Sequence, residues 1–403
     1  DAIVKYVRNY CDKKAIRKLP DICLPSLEKV INFPNKDSLL PKDYTITTEI
    51  GIYDDPDNQY QGTYSIDLAN QNVMIIGSAQ SGKTNILQTM IRSIASKYTP
   101  QEVSIYIMDF ASMVLKNFES LNHVGGVVTS SESEKLKNLI KLLFAEIETR
   151  KEKLMSVGVS SFSAYKEAGK DDLPQIVVMI DNLTALKELY FQDDDELLRL
   201  CREGLTVGIT MVIANSQTAG IGYKYLSNFS SKIALFCNDS SEYNSLFEHC
   251  RESLDDIHGR CIVEIEKTHL ECQSYLAFYG EKEIDRVNEI ACFIEKVNTT
   301  YKDVKANKIP VIPEILNSGI MKAQFNVETN EEEFVLGLNY ATVLPIVLDY
   351  QKQGYLALSG SNTEDKLNYI EYIKNAILNT NSTVYVLDDY EGSFEDISQN
   401  DSV

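Results

Sequence analysis

The stretch from Asn72 to Tyr98, NVMIIGSAQSGKTNILQTMIRSIASKY, constrains this chain more than any other. A four-residue apolar run, Val73 to Ile76, reads as a buried parallel strand. It runs into Gly77-Ser78-Ala79-Gln80-Ser81-Gly82-Lys83-Thr84, which satisfies the G-x-x-x-x-G-K-[ST] pattern of a phosphate-binding loop. A helix follows, with Ile86, Leu87, Met90, Ile91 and Ile94 on one face. The two loop glycines admit backbone angles and close approaches that a side chain blocks. The amides from Ser81 to Thr84 face an anion from a helix N-terminus, where the dipole favours negative charge, and Asn85 is counted with residues 77–84 as cofactor-binding. Lys83 is placed for the β- and γ-phosphates and the Thr84 hydroxyl for Mg2+. A strand, loop and helix in that order predict a nucleotide site holding ATP and Mg2+.

A second acidic position completes such a site. Ile176-Val177-Val178-Met179-Ile180-Asp181 is a hydrophobic strand ending in a carboxylate, about 100 residues after the loop, and Asp181 is the expected second Mg2+ group. The next residue bears on chemistry. A Glu at that position polarises the attacking water in many motor ATPases, but Asn182 stands here and accepts no proton. Binding is therefore expected and hydrolysis is expected to be weak. A carboxylate restored at 182 is expected to raise turnover if the surrounding geometry is otherwise intact. Gln217, just beyond the strand Ile209 to Ala214, is the candidate γ-phosphate sensor, with a plain polar strand end as the alternative. Asp109 closes the strand Val103 to Met108 and is read as a cap near the loop. Arg260 is read as a surface arginine, with a finger toward a neighbouring subunit as the alternative.

The rest of the chain supplies context. Its 403 residues suffice for two or three domains of roughly 100–200 residues each. A net charge of −20, with no basic run, argues against a nucleic-acid partner. The eight cysteines and four histidines show no metal or disulfide spacing and read as free thiols and ordinary histidines. The opening residues, to 19, read as a helix, residues 45–70 as strands, and Cys261 to Glu266 with Ser274 to Tyr279 as a closing β-pair. Ser131 with Glu134 reads as a capping box heading a helix that runs to about Val157 and keeps most of its charges in solvent. Glu283 to Val297 reads as a further helix.

Residues 355–390 repeat the phosphate-loop unit. Gly360 follows Gly77 by 283 residues, Asp349 follows Asp67 by 282, and Asp389 follows Asp109 by 280. Gly337-Leu338-Asn339-Tyr340 echoes Gly51-Ile52-Tyr53-Asp54, and Pro313 echoes Pro25. The repeat divides the chain into three: residues 1–19 as the tail of a preceding domain or a linker helix, 20–300 as one complete domain, and 301–403 as the first part of another. The chain, which opens on Asp1, reads as a piece of a longer polypeptide. In the second copy Asp365-Lys366-Leu367 replaces Gly82-Lys83-Thr84, which sets a carboxylate against phosphate and removes the Mg2+ hydroxyl. That copy is expected to bind no nucleotide.

GSAQSGKT, IVVMIDN and EGLTVGITMVIANSQT together resemble the FtsK/SpoIIIE ATPases. The stretch HVGGVVTSSESEKLKNLIKLLFAEIETRKEKL, the Asp181-Asn182 pair and the tandem arrangement are most similar to the type VII secretion ATPases of the EssC/EccC kind. The resemblance implies an α/β fold of RecA-like P-loop NTPase domains in tandem, each with a mostly parallel central sheet flanked by helices. It implies a membrane-anchored motor on the cytoplasmic side of the bacterial plasma membrane, reaching the membrane through segments outside this soluble chain. Its partners would be other ATPase domains of the same polypeptide, further copies in a homo-oligomer, and secreted WXG100-type proteins. DNA-translocating members carry Glu and Arg where Asn182 and Thr218 stand, so a DNA-pumping motor is the less favoured alternative.

Overall fold

The computed structural model describes residues 2–16, 23–34, 44–190, 195–313, 315–330, 332–339, 343–349, 352, 357, 359 and 361–378. It divides into two units, Asp1–Ile309 and Pro310–Val403. In chain order, the first unit runs α1 (Ala2–Lys13), β1 (Ile31–Asn32), β2 (Thr47–Asp55), β3 (Tyr60–Asp67), β4 (Val73–Ile76) and α2 (Lys83–Lys97). It continues with β5 (Val103–Asp109), β6 (Val124–Thr129), α3 (Ser133–Val157), α4 (Phe162–Glu167), β7 (Gln175–Asp181), α5 (Leu183–Tyr190) and α6 (Asp195–Glu203). Then come β8 (Ile209–Asn215), α7 (Tyr223–Leu226), β9 (Ser231–Leu235), α8 (Ser241–Leu246), β10 (Arg260–Ile265), β11 (Thr268–Leu276) and α9 (Glu283–Thr300).

The strands form one sheet in the order β3-β2-β11-β10-β9-β4-β8-β7-β5-β6, with β1 paired parallel to β11. From β9 to β6 every pairing is parallel, and β4 lies between β8 and β9. Helices cover both faces. Val73 and Ile75 of β4 therefore enter one core with Met90 of α2 and Ile294 of α9, while Met74 and Ile76 enter the other with Leu139 of α3 and Leu200 of α6. Burial on both faces is why these strands read as unbroken apolar runs. The mostly parallel sheet flanked by helices agrees with the fold class expected from the sequence.

Several local expectations need correction. Glu132, and not Ser131 with Glu134, organises the start of α3: its carboxylate accepts from the amide and hydroxyl of Thr129 at 2.9 and 2.8 Å. Arg150 of α3 is fully buried, donating to the carbonyls of Pro174, Val207 and Gly208 and to Glu146. The second strand of the closing pair starts at Thr268, six residues before the expected Ser274, because Glu266 and Lys267 make a two-residue turn with both residues at positive φ. No Gly or Asn marks that turn. Strand β6 was not anticipated, since Gly125 and Gly126 weaken its pattern. Packing explains them: a Cβ on Gly125 would strike Tyr106 and the Asn307 carbonyl, and one on Gly126 would strike Ile309. The exit segment lies along this edge strand, with Ala306 and Ile309 donating backbone bonds to Asn122 and Gly125 at 2.8 and 3.1 Å.

The second unit contains α10 (Ser318–Phe325), β12 (Glu333–Leu338), β13 (Pro345–Asp349) and α11 (Thr363–Leu378). The β12–β13 hairpin shifts register between Val335 and Gly337, as β2–β3 does between Glu49 and Gly51. The two glycines matched in the repeat thus both sit at bulges. Gly360, Asp389 and most of the residues expected to form strands on either side of α11 lie outside the described residues.

Candidate nucleotide-binding site

The phosphate loop leaves β4 where the sheet is most enclosed. The Gly77 amide donates to the Asn215 carbonyl of β8 at 3.2 Å, and the Ser78 amide to the Phe236 carbonyl just past β9 at 2.8 Å. Both neighbouring strands therefore fix the loop's first turn. A Cβ at Gly77 would lie 2.5 Å from Ser81 Oγ and 2.6 Å from Leu235 Cβ, and Gly82 has φ of 117°. These two positions need glycine. Ala79 and Gln80 form the exposed crest of the loop, with Gln80 at φ 61°.

Helix α2 starts at Lys83, and its first intrahelical bond runs from Ile86 N to Gly82 O at 3.0 Å. The amides of Lys83, Thr84 and Asn85 at the helix start have no intrahelical acceptor, whereas the Ser81 amide, expected to face the anion, donates to Ser78 O at 3.3 Å. Lys83 Nζ donates to the Gly77 and Ser78 carbonyls at 2.6 and 2.7 Å. Burial lowers its pKa, opposed by Asp181 and Cys237. Asn85 pins the helix start to β11: its Nδ2 donates to Tyr275 O at 2.7 Å and its Oδ1 accepts from Ala277 N at 3.0 Å.

Thr84 Oγ1 donates to Asp181 Oδ2 at 2.8 Å. The hydroxyl and carboxylate expected to hold Mg2+ thus meet across 97 residues of sequence. Asp181 is 1% exposed, and burial raises its pKa to about 6, against the lowering influence of Thr84 and Lys83 and with a further upward push from Asp109. A nearby cation would favour the charged form. Ser81 Oγ is buried without a hydrogen-bond partner among the described residues. Free amides, an orphaned hydroxyl, a lysine and a costly buried carboxylate are a donor set that fits Mg·ATP.

Other candidates separate. Asn182 sits at φ 74°, and its Oδ1 accepts from the Ala185 amide at 3.2 Å, so it caps α5. Asp109 is aligned with Asp181 across β5 and β7, but it accepts from the amides of Ala111 and Leu115 and so caps the following turn, not the phosphate loop. Gln217 is exposed, and its carbonyl accepts from Asn215 Nδ2 at 2.7 Å. Asn215, which sequence reasoning passed over, is buried at the end of β8 and binds Thr184. Arg260 is neither a surface residue nor a finger. It is 6% exposed and donates to Gln273, Glu271 and the Leu27 and Glu28 carbonyls, because β10 runs beneath the segment that precedes β1.

An FtsK/SpoIIIE family model matches residues 56–220, from the tip of the β2–β3 hairpin to just beyond β8. The chain carries an FtsK/SpoIIIE domain. It is homologous to the ESX secretion system protein EccC of Geobacillus thermodenitrificans strain NG80-2, with 28% identity over 371 residues, covering 90% of this chain and 24% of the relative. The YukB protein of Bacillus subtilis strain 168 is 26% identical, covering 92% of this chain and 25% of that one. The solved structure of EssC ATPases 2 and 3 from G. thermodenitrificans superposes with a TM-score of 0.83 at 25% identity, covering 94% of this chain and 72% of that one. The chain spans about a quarter of the length of these curated relatives. Its sequence and fold are similar to those of the tandem ATPase domains of type VII secretion proteins. Among the described residues no helix is long and apolar enough to cross a membrane, and no group of three metal-ligating side chains occurs.

Proposed function

We propose that this chain is an ATP-binding module of a membrane-anchored type VII secretion motor, holding Mg·ATP between residues 77–85 and Asp181 and hydrolysing it weakly. The Thr84–Asp181 hydrogen bond carries the reading, since it joins the Mg2+ groups of loop and strand without rearrangement. Weak hydrolysis is supported by Asn182, whose carboxamide caps a helix where a catalytic carboxylate would stand. Gln217 remains the candidate sensor of the γ-phosphate. Bound nucleotide would then serve assembly and the export of WXG100-type substrates, in a homo-oligomer that contacts other ATPase domains of its own polypeptide. The site would lie on the cytoplasmic side of the plasma membrane, with the membrane reached through segments outside this chain.

The same reading takes residues 1–19 as a preceding domain's tail or a linker helix, 20–300 as a complete ATPase domain and 301–403 as part of a degenerate one. The paired bulges at Gly51 and Gly337 support the repeat. So does α1, whose Ile3, Val4 and Val7 stand 290 residues before Phe293, Ile294 and Val297 of α9. Ile294 and Val297 are buried on their own domain, whereas α1 buries none of its side chains.

The test is the nucleotide content of the purified chain together with its steady-state turnover. Co-purified ATP or ADP with turnover far below ~1 s⁻¹, the lower end of competent phosphoryl transfer, is expected. Turnover within that range, or stimulation by DNA, would favour an active FtsK-like motor instead.

A further inference from the structure

Strand β8 runs into a loop, residues 216–222, that carries the candidate sensor Gln217 and leads to α7. Packing alone does not hold this loop. Ile221 is buried at its far end, but Ser216, Gln217, Ala219 and Gly220 are exposed, and a Cβ built on Gly220 or Gly222 would meet nothing within 4 Å. A segment with so few buried contacts takes its position from polar ties. Asn215 Nδ2 donates to the Gln217 carbonyl at 2.7 Å, and Lys187 Nζ of α5 donates to the Gly220 carbonyl at 3.1 Å. Between these two ties the Thr218 amide donates to Glu242 Oε2 at 2.7 Å. An amide held by a carboxylate makes a charge-assisted bond, about twice as strong as a neutral one. The Gln217 carboxamide makes no hydrogen bond among the described residues.

Glu242 is half-buried in the first turn of α8, and the segment before that helix is itself fixed to the phosphate loop. The Asn238 amide donates to Ser78 Oγ at 2.9 Å, and Asp239 Oδ1 accepts the Ser241 amide at 2.9 Å. The Cys237 amide donates to the hydroxyl of the buried Tyr243 at 3.0 Å. On the other side, the Asn215 carbonyl accepts the Gly77 amide at 3.2 Å. These contacts form a ring that runs from Gly77 through Asn215 to Gln217, and back through Glu242 and Asn238 to Ser78. The backbone of Gln217 is thus referred to the phosphate loop from both directions, while its carboxamide stays uncommitted.

We propose that Glu242 is a positioning residue for recognition of the γ-phosphate: its carboxylate latches the loop in the place from which Gln217 distinguishes ATP from ADP. The inference rests on the phosphate-loop and Gln217 readings above and deepens them. A carboxylate set directly against a phosphate would repel it, so the effect of Glu242 passes through the Thr218 amide.

The experiment measures the affinity of the whole chain for ATP and for ADP, each with Mg2+, by calorimetry. The wild type is expected to bind ATP at least about tenfold more tightly than ADP. Gln217→Ala should cut that ratio to about twofold, and Glu242→Ala should do the same, with ADP affinity within about twofold of wild type in both. Glu242→Gln keeps an oxygen acceptor for the Thr218 amide and should retain most of the selectivity. The double variant of Gln217→Ala with Glu242→Ala should lose no more than either single variant, because the two side chains act in series. Loss of the ratio in Gln217→Ala but not in Glu242→Ala would overturn the proposal and leave the sensor reading intact. So would an equal fall in ATP and ADP affinity in Glu242→Ala, the sign of a merely structural role, or losses that add in the double variant. Equal affinities in the wild type, or a ratio unchanged in Gln217→Ala, would overturn the Gln217 reading and the proposal with it. Failure of both nucleotides to bind the wild type would overturn the phosphate-loop reading itself.

Discussion

Asn182 Oδ1 accepts the Ala185 amide at 3.2 Å while Asn182 itself holds φ of 74°, so the residue after the Mg2+ carboxylate is committed to starting a helix. Asn and Asp tolerate left-handed backbone and cap helices well, and Glu does neither. Asn182→Glu should lower unfolding free energy by about 2 kcal/mol, combining backbone strain with a lost cap. Asn182→Asp should change it by less than about 0.5 kcal/mol. Urea titrations of the two variants check this. Equal stability would mean that the cap carries no weight.

The buried Asp181 carboxyl gives a pH signature. Its folded pKa of about 6 lies above the ordinary 3.8, so its stabilising proton is fully held below pH 3.8 and lost as pH rises through 6. The ionised group at pH 8 therefore costs up to about 3 kcal/mol in the chain without Mg2+. Asp181→Asn should be more stable than wild type at pH 8 by about 1–3 kcal/mol, with the gap closing toward pH 4. Mg2+-dependent stabilisation should vanish in the variant, and in the wild type it should fall below pH 6. A variant less stable than wild type at both pH values would refute the assignment.

Lys83→Ala should weaken Mg·ATP binding by about 100-fold, as expected for losing charge-assisted contacts to two phosphates. The wild-type chain should titrate with a single site. At α11 the Glu364 amide is already taken by Asn362 Oδ1 at 3.0 Å, and Asp365 accepts from Asn362 Nδ2 at 2.9 Å. Those side chains occupy the helix end that a phosphate would need. A second equivalent of nucleotide in calorimetry would contradict this.

The Tyr106 hydroxyl donates to the Asn307 carbonyl at 2.8 Å, tying β5 to the exit segment. Tyr106→Phe should loosen that segment by about 1 kcal/mol. Tryptic cleavage at Lys302, Lys305 or Lys308 should then quicken by about fivefold under conditions in which the rest of the fold resists. Unchanged cleavage would show that the backbone bonds of Ala306 and Ile309 suffice.

What the sequence disclosed follows from where the physics is local. The phosphate loop, α2 and β7 were legible because glycine geometry, helix periodicity and a strand ending in acid are written in consecutive residues. Position 182 was legible as chemistry, but its left-handed backbone was not. Arg260 was misread because burial of an arginine depends on acceptors more than 200 residues away, at Leu27 and Glu28. The β10–β11 turn escaped because Glu266 and Lys267 adopt positive φ without the residues that usually announce it. Strand β6 escaped because its glycines answer to Tyr106 and Ile309 and not to their sequence neighbours.

Strand β6 ends the sheet, and the segment that lies along it is the last part of the first unit to be synthesised. During translation this flank stays open until residue 309 has cleared the ribosome. An unpaired strand is a template for another chain's backbone. Between the making of Thr129 and of Ile309 this flank lacks the backbone bonds that Ala306 and Ile309 later donate to Asn122 and Gly125.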